Sequence, residues 1–220
     1  IKAVLPYLKK QKIDHLSYVF VSHYDADHIG GLDEVIRGLG TKNIGAVYDR
    51  GGKPIGKTTA AFSNYAKTAG TRRRTLKLGQ TINLNGGAIL TCVLENGAVM
   101  KKKPIAGAGR NENNMCVGLL LTFKKFRYFT SGDAGGRKSG DYVDLETPVA
   151  GAVGHVNAAK IDHHGSASSS NDTLLARLRP TVALIAVGDG NRFHHPTQSA
   201  LDRLVKAGCT IYQTEKGSGG

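Results

Sequence analysis

Apolar and polar positions along the chain follow strand and helix periods in turn. Residues 17–21 form an aromatic and β-branched apolar run that predicts a buried strand, and apolar residues at helical spacing predict a helix over residues 32–39. The same patterns predict helices over residues 58–68, 171–178 and 197–207, short strands with turns over residues 71–129, and strands ending at 161 and spanning 182–187 and 210–213. The chain is therefore predicted to be an α/β protein with polar residues at its strand ends, where such folds place their chemistry.

Length and composition describe a globular domain. The 220 residues suffice for one substantial domain, which we expect over residues 1–220. The sequence contains no run of 18 apolar residues, so no membrane-spanning helix is predicted. The chain begins at Ile1 without a signal-peptide pattern and ends in a Gly/Ser tail, so we expect a piece of a longer protein, truncated at both ends. Its three cysteines lack CxxC spacing and predict neither a disulfide framework nor a zinc knuckle.

The net charge of +13 is strongly basic. Cationic residues cluster at residues 72–74, 101–103 and 124–127. Any one cluster is typical of a solvated loop or hairpin tip. Three clusters on a basic chain favour an anionic substrate.

The segment "HYDADH" packs four residues with metal-binding side chains into six positions: His23, Asp25, Asp27 and His28. Alternate residues of an extended segment point the same way, so the first three are expected to converge, with His28 turning towards a second position as a helix begins. Imidazole and carboxylate ligands suit Zn, Mn or Fe. The alternative is a solvated loop with helix-capping aspartates.

Further candidates follow later strands. Asp133 lies in "SGDA", where one carboxylate can bridge two cations or simply serve a turn. His163 and His164 follow another predicted strand, and His194 and His195 follow the next. Six of the eight histidines lie in three segments, which scattered structural histidines would not do.

These motifs, "HYDADHIGGL", "SGDA", "HHGS" and a later His-Pro, resemble the metallo-β-lactamase superfamily, and specifically the hydrolase domain of ComEC-type competence proteins. The resemblance implies an αββα sandwich with two facing sheets, outer helices and metals at one edge. The first strands of that fold are expected to be missing before residues 1–11. Asp25 stands where the superfamily usually carries a second His, a form typical of the ComEC-like branch.

One departure concerns the strand before Asp133, which lacks the expected histidine. The segment "NENNMCVGLLL" occupies its place, so Asn114 or Cys116 is expected to line the site. A thiolate is a good soft metal ligand, but a packed free cysteine is the more common outcome.

The resemblance also implies roles for individual residues. The metal site would hold one or two divalent ions, with Zn favoured over Mn, and its implied ligands are His23, Asp25, Asp27, His28, Asp133 and, directly before Gly165, His164. A metal-activated water would attack the substrate. The implied catalytic residues are Asp27 for the water, His195 for a phosphate oxygen or the leaving group, and His163 for substrate orientation. Tentative substrate contacts are Asn114, Cys116, Ser166 and His194.

We therefore expect a metal-dependent hydrolase, a phosphodiesterase or nuclease acting on DNA or another phosphodiester. The alternatives are a small-molecule hydrolase for phosphoesters, lactones or β-lactams, and a nucleic-acid-binding module with a degenerate metal site. The expected location is extracytoplasmic for a ComEC-type protein and cytoplasmic for a free-standing relative. The sequence indicates no oligomeric state.

Overall fold

The computed structural model describes residues 3–214, so the Gly/Ser tail expected to mark a truncation lies outside the described residues. The chain divides into two compact units, Ile1–Leu76 and Lys77–Gly220. Within residues 3–214, no helix is both long and apolar enough to cross a membrane.

The first unit is built on a three-stranded parallel sheet of order β1-β2-β3. Its elements are α1 Val4–Lys10, β1 Leu16–Phe20, α2 Ala26–Ile29, α3 Leu32–Leu39, β2 Ile44–Asp49, α4 Ala60–Ala69 and β3 Arg73–Thr75. Parallel strands require crossover connections, which the helices supply. Buried Ile36, Phe62 and Tyr65 join α3 and α4 to the strands in one apolar core.

The predicted helix over residues 32–39 is confirmed as α3. The predicted helix over residues 58–68 begins slightly later, as α4, because Thr59 is its N-cap and accepts a hydrogen bond from Phe62 N at 3.1 Å. The first strand spans Leu16–Phe20, and the prediction that it is buried is wrong. Ser17 and Tyr18 are exposed because β1 is an edge strand of the three-stranded sheet.

The second unit is built on an eight-stranded mixed sheet of order β11-β10-β9-β8-β7-β5-β4, with β6 paired to β5. Its elements are β4 Thr81–Asn83, β5 Ala88–Glu95, β6 Ala98–Val99, β7 Gly118–Phe123, β8 Phe126–Thr130, α5 Glu146–Val153, β9 Ala158–Lys160, α6 Asp172–Leu178, β10 Val182–Ile185, α7 Gln198–Lys206 and β11 Thr210–Gln213. Strands β4 to β8 pair antiparallel. Strands β8 to β11 are parallel, so their carboxyl ends meet at one edge.

Local sequence signals explain much of the second unit. Asn171 caps α6 by accepting a hydrogen bond from Leu174 N at 2.8 Å, as the sequence predicted. Lys124 and Lys125 form the hairpin turn between β7 and β8, one of the turns expected over residues 71–129, and Lys124 has a positive φ of 53°. The predicted strand over residues 182–187 ends two residues earlier, at Ile185. Buried Leu94, Leu120 and Phe129 belong to an apolar core that includes Val149 of α5.

Candidate metal centre

In the first unit, the candidate ligands follow the carboxyl end of β1. Asp25 is the extended N-cap residue of α2, and Asp27 and His28 lie within that helix. The prediction that Asp27 continues an extended run with His23 and Asp25 is therefore wrong, because the helix begins at Ala26. His23 is fully buried, whereas the Asp25 and Asp27 side chains are 45% and 62% exposed.

Ser22, which the sequence analysis did not single out, contacts both histidines of this loop. Its Oγ lies 3.1 Å from His23 Nδ1 and 3.3 Å from His28 Nδ1. A hydroxyl oxygen has two lone pairs, so it can accept an Nδ1–H from each ring and leave both Nε2 atoms as bases. His23 Nε2 lies 3.5 Å from Asp25 Oδ2, and His28 Nε2 lies 3.6 Å from Asp27 Oδ2.

In the second unit, three candidate segments follow the carboxyl ends of the neighbouring parallel strands β8, β9 and β10. Asp133 follows β8 and is buried. His164 follows β9, and its Nδ1 lies 2.6 Å from the carbonyl oxygen of Ala186, which follows β10. Because a carbonyl oxygen only accepts, Nδ1 carries the proton and a neutral ring presents its Nε2 lone pair. That Nε2 lies 3.4 Å from Asp133 Oδ2.

His163 points to the same carboxylate from a different side. Its Nε2 lies 3.8 Å from Asp133 Oδ2 and 3.4 Å from Asn113 Nδ2, and its ring stacks on Tyr142 with centroids 6.1 Å apart. Both His163 and His164 adopt left-handed backbone conformations, with φ of 47° and 54°. Such strain in non-glycine residues is held only where the surrounding structure imposes it, and it concentrates at functional sites.

The two later histidines differ in their environments. The His195 ring lies 5.8 Å from the His163 ring, centroid to centroid, and stacks on Phe193. Burial and the neighbouring His164 lower the pKa of His195. His194 is exposed. Of these two histidines, His195 is the one whose ring contacts the His163 ring.

The tentative substrate contacts have other partners in the structure. Asn114 is fully buried, donates to Asp141 O at 2.7 Å and accepts from Val143 N at 3.2 Å. The Ser166 hydroxyl is 3.1 Å from that of Ser168. Their assignment to substrate stays a prediction.

Cys116 is also buried, and its sulfur accepts a hydrogen bond from Asp133 N at 3.2 Å. The predicted residue therefore contacts the backbone of the candidate ligand. Its assignment as a ligand or as a substrate contact stays a prediction.

Lys160 and Asp162 are further residues that the sequence analysis missed. The Lys160 ammonium donates to Gly132 O at 2.8 Å and lies 3.9 Å from Asp133 Oδ1. Asp162 accepts from Ser131 Oγ at 2.6 Å, and burial raises its pKa to about 7 even though Lys160 opposes the shift. Their roles depend on contacts with residues 131–133, which the local segment "AAKIDHHG" does not indicate.

Each unit contains nitrogen–oxygen pairs with the spacing of two ligands on one divalent cation. Ligands about 2.0–2.2 Å from a tetrahedral ion lie about 3.3–3.6 Å from one another. The Nε2-to-carboxylate distances given above for His23, His28 and His164 lie within that interval. A second hydrogen bond that fixes each ring, to Ser22 or to Ala186 O, is the usual companion of metal-binding histidine.

Comparison of the sequence with known protein families identifies the family. The model of the β-lactamase superfamily domain matches residues 2–147. The chain belongs to the β-lactamase superfamily. The match covers more than half of the chain, and it confirms the family predicted from the four motifs.

Two curated relatives confirm the ComEC-like branch of this superfamily. The chain is 24% identical to ComE operon protein 3 of Bacillus subtilis over 217 residues, 98% of this chain and 25% of that protein. It is 26% identical to Recombination protein 2 of Haemophilus influenzae over 211 residues, 96% of this chain and 22% of that protein. This superfamily domain thus spans about a quarter of the length of the curated relatives it matches.

Solved structures confirm the metallo-β-lactamase fold. CmlA, a diiron β-hydroxylase from Streptomyces venezuelae, aligns with a TM-score of 0.55 at 15% identity, over 92% of this chain and 44% of CmlA. Zn²⁺-bound PqqB from Methylobacterium extorquens aligns with a TM-score of 0.51 at 13% identity, over 89% of this chain and 70% of PqqB. Tm1679, a metal-dependent hydrolase of the superfamily, aligns with a TM-score of 0.53 at 12% identity, over 97% of this chain and 82% of Tm1679. Proteins of this fold thus hold metal ions of more than one kind.

Proposed function

We propose that this chain is a metal-dependent hydrolase that cleaves phosphodiesters, with nucleic acid as the favoured substrate. The observation that carries the proposal is the arrangement of His164, whose Nδ1 is held by Ala186 O so that Nε2 faces Asp133. Two acceptors that face each other at 3.4 Å repel unless a proton or cation lies near both. Membership of the β-lactamase superfamily supports a cation.

Both motif groups are proposed to supply ligands, for one or two divalent ions in all. The proposed ligands are His23, Asp25, Asp27, His28, Asp133 and His164. Nitrogen and oxygen donors favour Zn, with Mn as the alternative. A bound cation would lower the pKa of water and polarise a phosphoryl oxygen.

The chain's own residues would perform the remaining steps. Asp27, whose carboxylate is 62% exposed, would orient or deprotonate the attacking water. His195 would polarise a phosphate oxygen or protonate the leaving group. His163, fixed by Asn113 and Tyr142, would orient the substrate beside it.

The basic surface supports a polyanionic substrate, although some clustered cations serve the fold. Arg72 donates to Ile44 O at 2.9 Å, Arg73 pairs with Asp49, and Arg127 donates to His155 O at 2.8 Å. The exposed cations include Arg74 and the lysines at residues 101–103, 124 and 125. These remain available for phosphate contacts.

A groove of about 430 Å³ between α6 and α7 adds a second basic surface. Arg179, Arg203 and Lys206 line it with Asp172, over an apolar floor that includes Leu175. Arg203 donates to the carbonyl oxygens of Ser170, Ala167 and Ser169, so Arg179 and Lys206 are the cations that an anion would contact there. The similarity to Recombination protein 2 is consistent with a role on DNA.

Parallel assays separate the substrate classes. Protein purified without chelator would be given Zn²⁺ or Mn²⁺ and tested on single-stranded DNA, bis-p-nitrophenyl phosphate, a lactone and a β-lactam. The proposal predicts cleavage of the two phosphodiesters, abolished by EDTA. Cleavage of only the lactone or the β-lactam would contradict the proposal and identify a small-molecule hydrolase. DNA binding without any cleavage would favour a binding module.

A further inference from the structure

Tyr24 lies between two proposed metal ligands, His23 and Asp25, and its side chain is buried. Its hydroxyl donates to Gly51 O at 2.9 Å and accepts from Arg73 Nη2 at 2.7 Å. The phenol is therefore held by both a donor and an acceptor, which fixes the position of its oxygen. No feature of the motif alone indicates this role.

The ring of Tyr24 is fixed as firmly as its hydroxyl. The Arg50 guanidinium lies 4.3 Å from the ring centroid, within the range of a cation–π contact. Phe62 of α4 meets the ring edge-on, with centroids 4.7 Å apart. The side chain has no room to adopt another rotamer without breaking these contacts.

A buried carboxylate completes the network. Asp49, at the end of β2, accepts from Gly51 N at 2.8 Å and from Tyr65 OH at 2.6 Å, and it also pairs with Arg73. Burial raises the pKa of Tyr65 well above the usual tyrosine value, so its hydroxyl stays a protonated donor to Asp49. A buried network with its polar groups satisfied is rigid.

Rigidity at Tyr24 is transmitted to its neighbours through the backbone. Asp25 is extended, with φ −67° and ψ 147°, and successive side chains on extended backbone point to opposite sides. The side chains that flank the anchored tyrosine meet each other, with His23 Nε2 3.5 Å from Asp25 Oδ2, so holding Tyr24 in place also holds this pair.

We propose that Tyr24 is a positioning residue of the metal centre, anchoring the ligand loop to the Asp49–Arg73 ion pair. The inference rests on the proposed function, because it requires that His23 and Asp25 bind metal. The proposed role involves no contact with metal or substrate, because the Tyr24 hydroxyl is bonded to Gly51 O and Arg73 Nη2. Its contribution is to metal affinity and ligand geometry.

Tyr65 provides a matched control. Tyr24→Phe and Tyr65→Phe each remove one buried hydroxyl from the same network, but only Tyr24 belongs to the ligand loop. The readouts are the Zn²⁺ dissociation constant by chelator competition, the visible spectrum of the Co²⁺ form, and the Tm of metal-free protein. We expect both variants to lower Tm. Only Tyr24→Phe should weaken Zn²⁺ binding, by about 10-fold, and alter the Co²⁺ spectrum.

Equal Zn²⁺ affinity in the wild type and Tyr24→Phe, or equal weakening in both variants, would overturn the inference. If Tyr24→Phe does not fold, Arg73→Lys replaces it, since it removes the hydrogen bond to the Tyr24 hydroxyl and keeps the charge beside Asp49. The same loss of affinity is expected. A wild-type chain that binds neither Zn²⁺ nor Mn²⁺ overturns the proposed function as well, which distinguishes the two failures.

Discussion

The Nε2 atom of His164 lies 3.4 Å from Asp133 Oδ2, while its Nδ1 donates to the carbonyl oxygen of Ala186. His163 also faces Asp133, at 3.8 Å, but its described contacts are with Asn113, Tyr142 and neighbouring imidazoles. Adjacent histidines on one turn are therefore fixed by different partners. We propose metal binding for His164 and substrate orientation for His163.

This assignment predicts different defects for the two histidines. His164→Ala should weaken Zn²⁺ binding by about 100-fold, because it removes a ligand together with its fixing hydrogen bond. His163→Ala should keep Zn²⁺ affinity within a few-fold and slow phosphodiester cleavage by about 100-fold. Chelator competition and turnover under metal saturation measure the two effects. The reverse pattern would exchange the two roles.

Substrate binding should depend on the groove between α6 and α7. Each phosphate contact on a single strand contributes about 0.7 to the slope of log affinity against log salt. The double variant Arg179→Ala/Lys206→Ala removes two contacts and should therefore reduce the magnitude of that slope by about 1.4 in fluorescence titrations with single-stranded DNA. Lys9→Ala/Lys10→Ala, which removes equal charge from the exposed end of α1, serves as the control. Equal slopes in both double variants would exclude the groove as a contact.

Close packing between α5 and α6 requires a glycine at position 136. A Cβ built there would lie 2.1 Å from Glu146 Oε2 and 3.0 Å from Asn171 Cβ, and Glu146 is fixed by hydrogen bonds from Ser170 N and Asn171 N. Gly136→Ala should therefore lower the free energy of unfolding by about 1–3 kcal/mol in urea denaturation.

The control for this substitution is Gly151→Ala within α5, where a Cβ meets nothing within 4 Å. Alanine has the higher helix propensity, so this variant should be neutral or up to about 1 kcal/mol more stable. Equal destabilisation by both substitutions would contradict the packing argument.

Glu146 should also contribute to the pH dependence of stability. Burial and the nearby Asp162 raise the pKa of Glu146, so the folded chain binds a proton that the unfolded chain has released above about pH 4.3. Unfolding free energy should thus fall as pH rises from that value towards the raised pKa. Glu146→Gln should flatten this slope in urea titrations from pH 4.5 to 7, and exposed Glu34→Gln should not. An unchanged slope in Glu146→Gln would refute the assignment.

The sequence predicted those parts of the fold with strong local signals. Helix α3 has clear periodicity, and Asn171 marks the start of α6, so both are found where expected. Strand β2 and helix α5 were not predicted. In "ETPVAGAV", Pro148, Gly151 and the β-branched residues weaken the helical preference, so packing determines the structure. In "IGAVYD", Ile44, Val47 and Tyr48 favour a strand, but Gly45 and Ala46 interrupt the signal.

The candidate site shows a similar division. Strand-end histidines and aspartates are visible as motifs, because their residue types are rare together. The supporting residues Ser22, Tyr24, Asn113 and Lys160 are common types, and Tyr24 reaches Arg73 across 49 residues of sequence. Such contacts depend on long-range packing, which spacing along the chain does not encode.

The most direct test is the metal content of protein purified without chelator, measured together with cleavage of single-stranded DNA. The account predicts one or two Zn²⁺ or Mn²⁺ ions per chain, cleavage lost in EDTA and restored by either ion, and loss of both properties in Asp133→Ala but not in the control Asp202→Ala. No bound metal, and no cleavage after Zn²⁺ or Mn²⁺ is added, would contradict it.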